Sequence, residues 1–204
     1  MPPFGSGFSD RTIDANGVQL HYWIAGSGPP VVLIHGYPEN SYAWHEVAPT
    51  LAASHTVIVP DFRGAGASSR PDRGYTTGQL ADDIHQIVQS LHVGPIDVAG
   101  HDWGGAVAYA YAAAHPDEVR RLANLEAGPP AGFGQESAQN ANPQVFWFVW
   151  LARRPDAEAI VNGREREYLT PLFQDFSFKK DAITGAELDG YVCSFRQPGA
   201  MHAG

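Results

Sequence analysis

The chain has 204 residues, 44% apolar and 17% charged, enough to bury a sizeable core in one or two domains and unlike the composition of a disordered protein. Thirteen Lys plus Arg against 22 Asp plus Glu leave a formal net charge of −9 with no basic run, which argues against a nucleic-acid partner. Cys193 is alone, excluding a disulfide framework or thiolate metal site, and neither a leader pattern in MPPFGSGFSD nor an apolar run of membrane-spanning length is present, so the expectation is a cytoplasmic protein without membrane association.

In chain order, VQLHYWIAG (18–26) alternates like a half-exposed strand and is broken by GSGPP. VVLIHG (31–36) and TVIVPD (56–61) are continuous apolar runs, the pattern of strands covered on both faces of a parallel sheet. SYAWHEVAPTLAAS (41–54) and TTGQLADDIHQIVQSLH (76–92) have helical spacing, the second with Leu80, Ile84, Ile87, Val88 and Leu91 on one face. PIDVAG (95–100) is a strand, GGAVAYAYAAAHP a helix that stops at Pro116, and VRRLANLEA (119–127) one more strand. The order reads strand, strand, strand, helix, strand, helix, strand, helix, strand: a doubly wound, mostly parallel α/β sheet. No internal repeat is visible. After AGPPAGFG (127–134) the alternation stops, and from about Gln144 to Phe195 the chain is helical and aromatic, a separate helical layer or cap.

Between the strand PIDVAG and its helix stands GHDWGG (100–105), a strand-turn-helix elbow with an acid, Asp102, at its apex. Such a bend strains its central residue and needs small neighbours where strand and helix approach, which Gly100, Gly104 and Gly105 supply. The amides opening the helix face any negative charge above the turn, so an anionic Asp102 suits the place.

HGYP (35–38), DFRGAGASSRP (61–71) and GHDWGG (100–105), in this order and spacing, resemble the epoxide hydrolase and haloalkane dehalogenase branch of the α/β-hydrolase superfamily over nearly the whole chain. The resemblance implies the α/β-hydrolase fold, with residues 1–127 forming the N-terminal part of the core and 128–204 an inserted helical cap. Relatives continue through further strands and helices, so the expectation is a chain lacking the final elements of the core. It further implies that Asp102 attacks a saturated carbon of a small apolar epoxide or halide and forms an alkyl ester that water hydrolyses. The oxyanion donors of that step would be the backbone amides of Tyr37 and Trp103, with Pro38 fixing the loop through a possible cis bond. Glu126, 126 − 102 = 24 residues beyond the nucleophile, matches the acid position of some members, where a carboxylate supports a histidinium. No cofactor is expected, and no His/Asp/Glu spacing in the sequence makes a convincing metal site.

Within the cap, Phe146, Trp147, Phe148 and Trp150 offer either pocket lining or packing against the sheet, and Trp147 stands near the family's donor to the epoxide oxygen, usually Tyr. Tyr168 and Tyr191 do not match the donor positions. DFRGAGASSRP lacks the full glycine pattern of a nucleotide loop and reads as structural, as does His35; His45 and His101 read as packing or surface residues. The family's catalytic His comes from a later loop, and none of the nine His here holds that position, His202 included. Without a base the ester on Asp102 should persist. Two readings stay beside the epoxide one: a haloalkane dehalogenase, which Trp103 favours and Tyr37 in place of Asn does not, and a non-catalytic remnant that binds an apolar ligand or partner. A fluoroacetate dehalogenase fits less well, since neither Trp103 nor Ala106 supplies an Arg for the substrate carboxylate.

Overall fold

A computed structural model describes residues 4–126, 147–152, 154–183 and 185–203. Phe146 and the 127–134 stretch lie outside the described residues. Six strands form one sheet in the order β1-β2-β4-β3-β5-β6: β1 Ser9–Ala15, β2 Val18–Ala25, β3 Pro30–Ile34, β4 Thr56–Pro60, β5 Ile96–His101 and β6 Val119–Leu125. The pairs β3/β4, β3/β5 and β5/β6 are parallel, and β1 and β2 add an antiparallel edge. Three strands thus precede the first helix, as the element order implies. The first of them pairs with β2 across Asn16-Gly17, both at positive φ, the backbone a two-residue hairpin needs.

The apolar runs are buried on both faces by simple alternation. In β3, Val32 and Ile34 join one core with Ile58, Ile96 and Val98, while Val31 and Leu33 join the other with Val57 and Val59. Helix α2 (Thr77–Leu91) and helix α3 (Trp103–Ala114) cover the first face through Ile84, Ile87, Val88, Val107 and Tyr111. Thr76 caps α2 by accepting from the Gln79 amide at 3.2 Å. The second face is covered by Phe4, Phe8, Trp44 and Ala48. Here the expected single helix over 41–54 is two pieces, a 3-10 turn Ser41–Trp44 and helix α1 Ala48–Ala52. Asn40 caps the turn through its side chain, and Pro49, having no amide hydrogen, suits the first turn of a new helix better than the interior of a continuous one.

After β6 the described residues are helical: α4 Trp147–Ala152, α5 Ala157–Val161, α6 Glu165–Phe176, α7 Gly185–Phe195 and α8 Ala200–Ala203. They share a core of Tyr168, Leu169, Tyr191, Val192, Phe195 and Met201, onto which Tyr37 and Tyr42 of the sheet layer pack. No helix among the described residues is long and apolar enough to cross a membrane.

Candidate active site

Strand β5 ends at His101 and α3 starts at Trp103, so the whole reversal falls on Asp102, at φ 53° and ψ −124°. That conformation is costly for a residue with a Cβ and persists because the neighbouring backbones fix it. A Cβ on Gly100 would lie 2.1 Å from the Gly104 carbonyl oxygen, and one on Gly104 would lie 2.4 Å from those of Ile34 and His35. Only glycine lets β3, β5 and α3 meet there.

The Tyr37 amide donates to Asp102 Oδ1 at 2.9 Å, and the Trp103 amide, next in the chain, lowers the pKa of the same carboxyl. Of the two backbone donors expected from the sequence, the Tyr37 amide is hydrogen-bonded to the side chain at the apex. Tyr37 is held there by its loop: the Tyr37-Pro38 bond is cis, and the buried His35 donates from Nδ1 to the Gly36 carbonyl at 2.9 Å while its Nε2 accepts from the Phe62 amide at 3.2 Å. Burial lowers the pKa of His35, so it serves as a neutral strut. Burial raises the pKa of Asp102, opposed by the amides of Tyr37 and Trp103 and by the nearby charge of His101.

His101 is more than a packing residue. Its Nδ1 lies 3.2 Å from Glu39 Oε2 and its Nε2 3.2 Å from Glu126 Oε2. The hydrogen bond to Glu39 raises its pKa to about 9 against the opposing effect of burial, with Glu126 and Asp102 adding to the rise. Glu39 is the stronger partner, because Glu126 has 82% of its side chain exposed against 14% for Glu39. Glu126 lies just past β6 at φ 57°, on the same sheet edge as Asp102. Sequence reasoning missed Glu39; its only local signal was a carboxylate two residues after the Tyr37 amide.

Beside the elbow lies a cavity of about 230 Å³, lined in part by Tyr37, Phe62, Leu80, Trp103, Val107 and Phe195. Trp103 is 54% exposed, an indole left open next to the acid. Trp147 instead packs edge-on against Tyr168 within the cap core, its ring centroid 5.4 Å away, and is not among the residues lining this cavity. Tyr168 shares a 2.6 Å hydroxyl contact with Tyr37. Phe148 stacks on Tyr37, and Tyr191 is buried in the cap.

The remaining motif residues support the scaffold. Asp61 accepts from the Ser41 amide at 2.7 Å and the Ala67 amide at 2.9 Å, and pairs with His21 Nδ1 at 2.7 Å. Burial pushes its carboxyl up, but the His21 contacts and the amide outweigh that and hold it at about 2. Arg63 makes a buried two-point pair with Asp83. His45 lies 3.0 Å from the Tyr42 carbonyl and 3.3 Å from Glu187, and His202 lies 3.0 Å from the Asp72 carbonyl.

A family profile described as the alpha/beta hydrolase fold matches residues 29–177. The chain is 35% identical to the soluble epoxide hydrolase of Corynebacterium sp. (strain C12), over 93% of this chain and 68% of that one. It is 30% identical to the fluoroacetate dehalogenase of Burkholderia sp, over 96% of this chain and 67% of the relative. Among solved structures, that of wild-type Cfl2 from Burkholderia cenocepacia superposes with a TM-score of 0.89 at 34% identity, covering 98% of this chain and 69% of that one. The chain therefore belongs to the alpha/beta hydrolase fold family, among relatives that are hydrolases named for epoxide and dehalogenase activities.

Proposed function

We propose that Asp102 is the nucleophile of an epoxide-opening reaction, that residues 128–204 act as its cap, and that the ester on Asp102 is long-lived here because neither His101 nor His35 can serve as its base. The observation that carries this reading is the Tyr37 amide hydrogen-bonded to a carboxylate perched at a strained bend, beside the amides that open α3. A carboxylate oxygen attacks one epoxide carbon, the ring C–O bond breaks, and the ring oxygen leaves as an alkoxide that takes a proton from water. Donors already aimed at the carboxylate would stabilise the oxyanion formed when the ester carbonyl is later attacked. Trp147, the donor position carried over from the resemblance, packs against Tyr168 outside the cavity and has no part in this step.

Hydrolysis of the ester needs a base, and the two histidines that feel the charge of Asp102 are unsuited to it. His101, with a pKa of about 9, is protonated at neutral pH, and both its nitrogens face carboxylates. His35 has both nitrogens engaged within the buried loop. Glu126, carried over as the acid that would support a base, faces His101 instead.

The test is intact-mass spectrometry after incubation with a terminal epoxide. The expected product is one added epoxide mass that hydroxylamine removes, as it cleaves an ester but leaves a thioether on the exposed Cys193. Rapid diol release from adduct-free protein would overturn the stalled ester. The exposed indole of Trp103 favours a second reading, displacement of halide from a haloalkane by the same carboxylate. Halide release without any reaction toward epoxides would select it.

A further inference from the structure

Far along the sheet from the elbow's glycines, α2, the end of α3 and the turn leading into β6 bring together His85, His115 and Glu118. Among the described residues this is the one group of three whose ligand atoms all lie within 4.8 Å of one another in a form suited to a cation. The two imidazoles stack face to face, centroids 3.9 Å apart with planes 1° from parallel, and His85 Nδ1 lies 3.2 Å from Glu118 Oε2. Glu118 is held from behind. Tyr111 donates its hydroxyl to Oε2 at 2.6 Å and Gln89 its amide to Oε1 at 2.9 Å. The side chains of His85 and Glu118 keep 19% and 28% of their surface in solvent, so an ion has a path in.

We propose that His85, His115 and Glu118 form a binding site for one divalent transition-metal ion of zinc's coordination preference. Two imidazole nitrogens and a carboxylate oxygen are a donor set that zinc takes, with a fourth position left to water on the open side. The ion takes the place of the hydrogen bond between His85 Nδ1 and Glu118, the hydrogen on that nitrogen passing to solvent, and the imidazoles turn out of their stack so that each lone pair points at the metal, closing to bonds of about 2.0–2.2 Å. The two donors on Glu118 orient it in advance, the usual task of groups behind a metal ligand. A bound ion clamps α2 to the end of α3. Spacing along the chain hides the site, because 115 − 85 = 30 residues separate the two histidines and only the fold joins them.

Titration of Zn²⁺ into the protein, followed by calorimetry and by the histidine ring resonances in NMR spectra, tests this independently of any reaction at Asp102. The expected result is one ion per chain, with the His85 and His115 signals moving first. His85→Gln and His115→Gln should each weaken binding by at least tenfold, and Tyr111→Phe by roughly tenfold through loss of orientation. His85→Gln should form the epoxide adduct as the unchanged protein does. No binding to the unchanged protein, binding that survives the double His85→Gln, His115→Gln variant, or a first response at His101 instead would each overturn the proposal.

Discussion

At the residue scale the chemistry turns on one buried carboxylate and its charged neighbour. Burial raises the pKa of Asp102, so at neutral pH the fold carries the cost of an ionised group in a partly dry place. Asp102→Asn keeps an acceptor for the Tyr37 amide and removes that charge, and should leave stability unchanged or raise it by about 1 kcal/mol in chemical denaturation while ester formation disappears. His101 gives a second measurable quantity. Its NMR titration should centre near pH 9, and Glu39→Gln should bring it down toward the ordinary 6.5, because the hydrogen bond to Glu39 is the largest cause of the shift. Since the folded value is raised, the stability His101 contributes is fully present below pH 6.5 and is lost as pH rises through about 9. A midpoint near 6.5 in the unchanged protein would show that Glu39 does not hold it. The strained bend at Asp102 and the Tyr37 amide beside it were legible in the sequence because backbone motifs carry their geometry. The Glu39–His101–Glu126 contacts were not, since three segments far apart in the chain make them.

At the element scale, the elbow works because strand β3 and helix α3 touch through Gly104. A methyl group there would sit 2.4 Å from two carbonyl oxygens of β3 and its loop, atoms that cannot rotate away. Gly104→Ala should therefore cost about 1–3 kcal/mol or more, as overpacking of a tight contact does, seen as a lower urea midpoint with an unchanged slope. An unchanged midpoint would mean that the helix can slide away from β3. The strands of the parallel sheet were readable as continuous apolar runs, and α2 as a one-faced stripe. The break between Ser41–Trp44 and α1 was less so, because apolar residues at helical spacing continue across it and only Pro49 marks the restart. The strand Ser9–Ala15 is almost wholly polar or part-exposed, which removes the periodic signal and leaves the Asn16-Gly17 turn as its clearest marker.

At the scale of the whole molecule, Asp61 joins pieces that are distant in sequence: His21 on β2, the Ser41 amide of the 3-10 turn and the Ala67 amide of the glycine loop. Its pKa falls from 3.8 to about 2, so its contribution is present above about pH 4 and is lost as pH falls through 2. Asp61→Asn should destabilise the protein at pH 6 by roughly 3–5 kcal/mol, the cost of leaving a buried partner unpaired, and the gap to the unchanged protein should shrink as pH falls from 4 to 2. A gap independent of pH would assign the loss to packing instead. Above the sheet, the helical layer was legible as an aromatic, strand-free stretch, but its contact with the site was not. The Tyr37–Tyr168 hydroxyl pair spans 168 − 37 = 131 residues and follows from the packing of Tyr37 beneath α6 and α7.

Peptide mapping of the epoxide-treated protein by tandem mass spectrometry, carried out in a Cys193→Ser background, addresses the role of Asp102 most directly. The added mass should reside on Asp102 and be absent from Asp102→Asn. An adduct on another residue, or one undiminished in that variant, would contradict the assignment of Asp102 as the nucleophile.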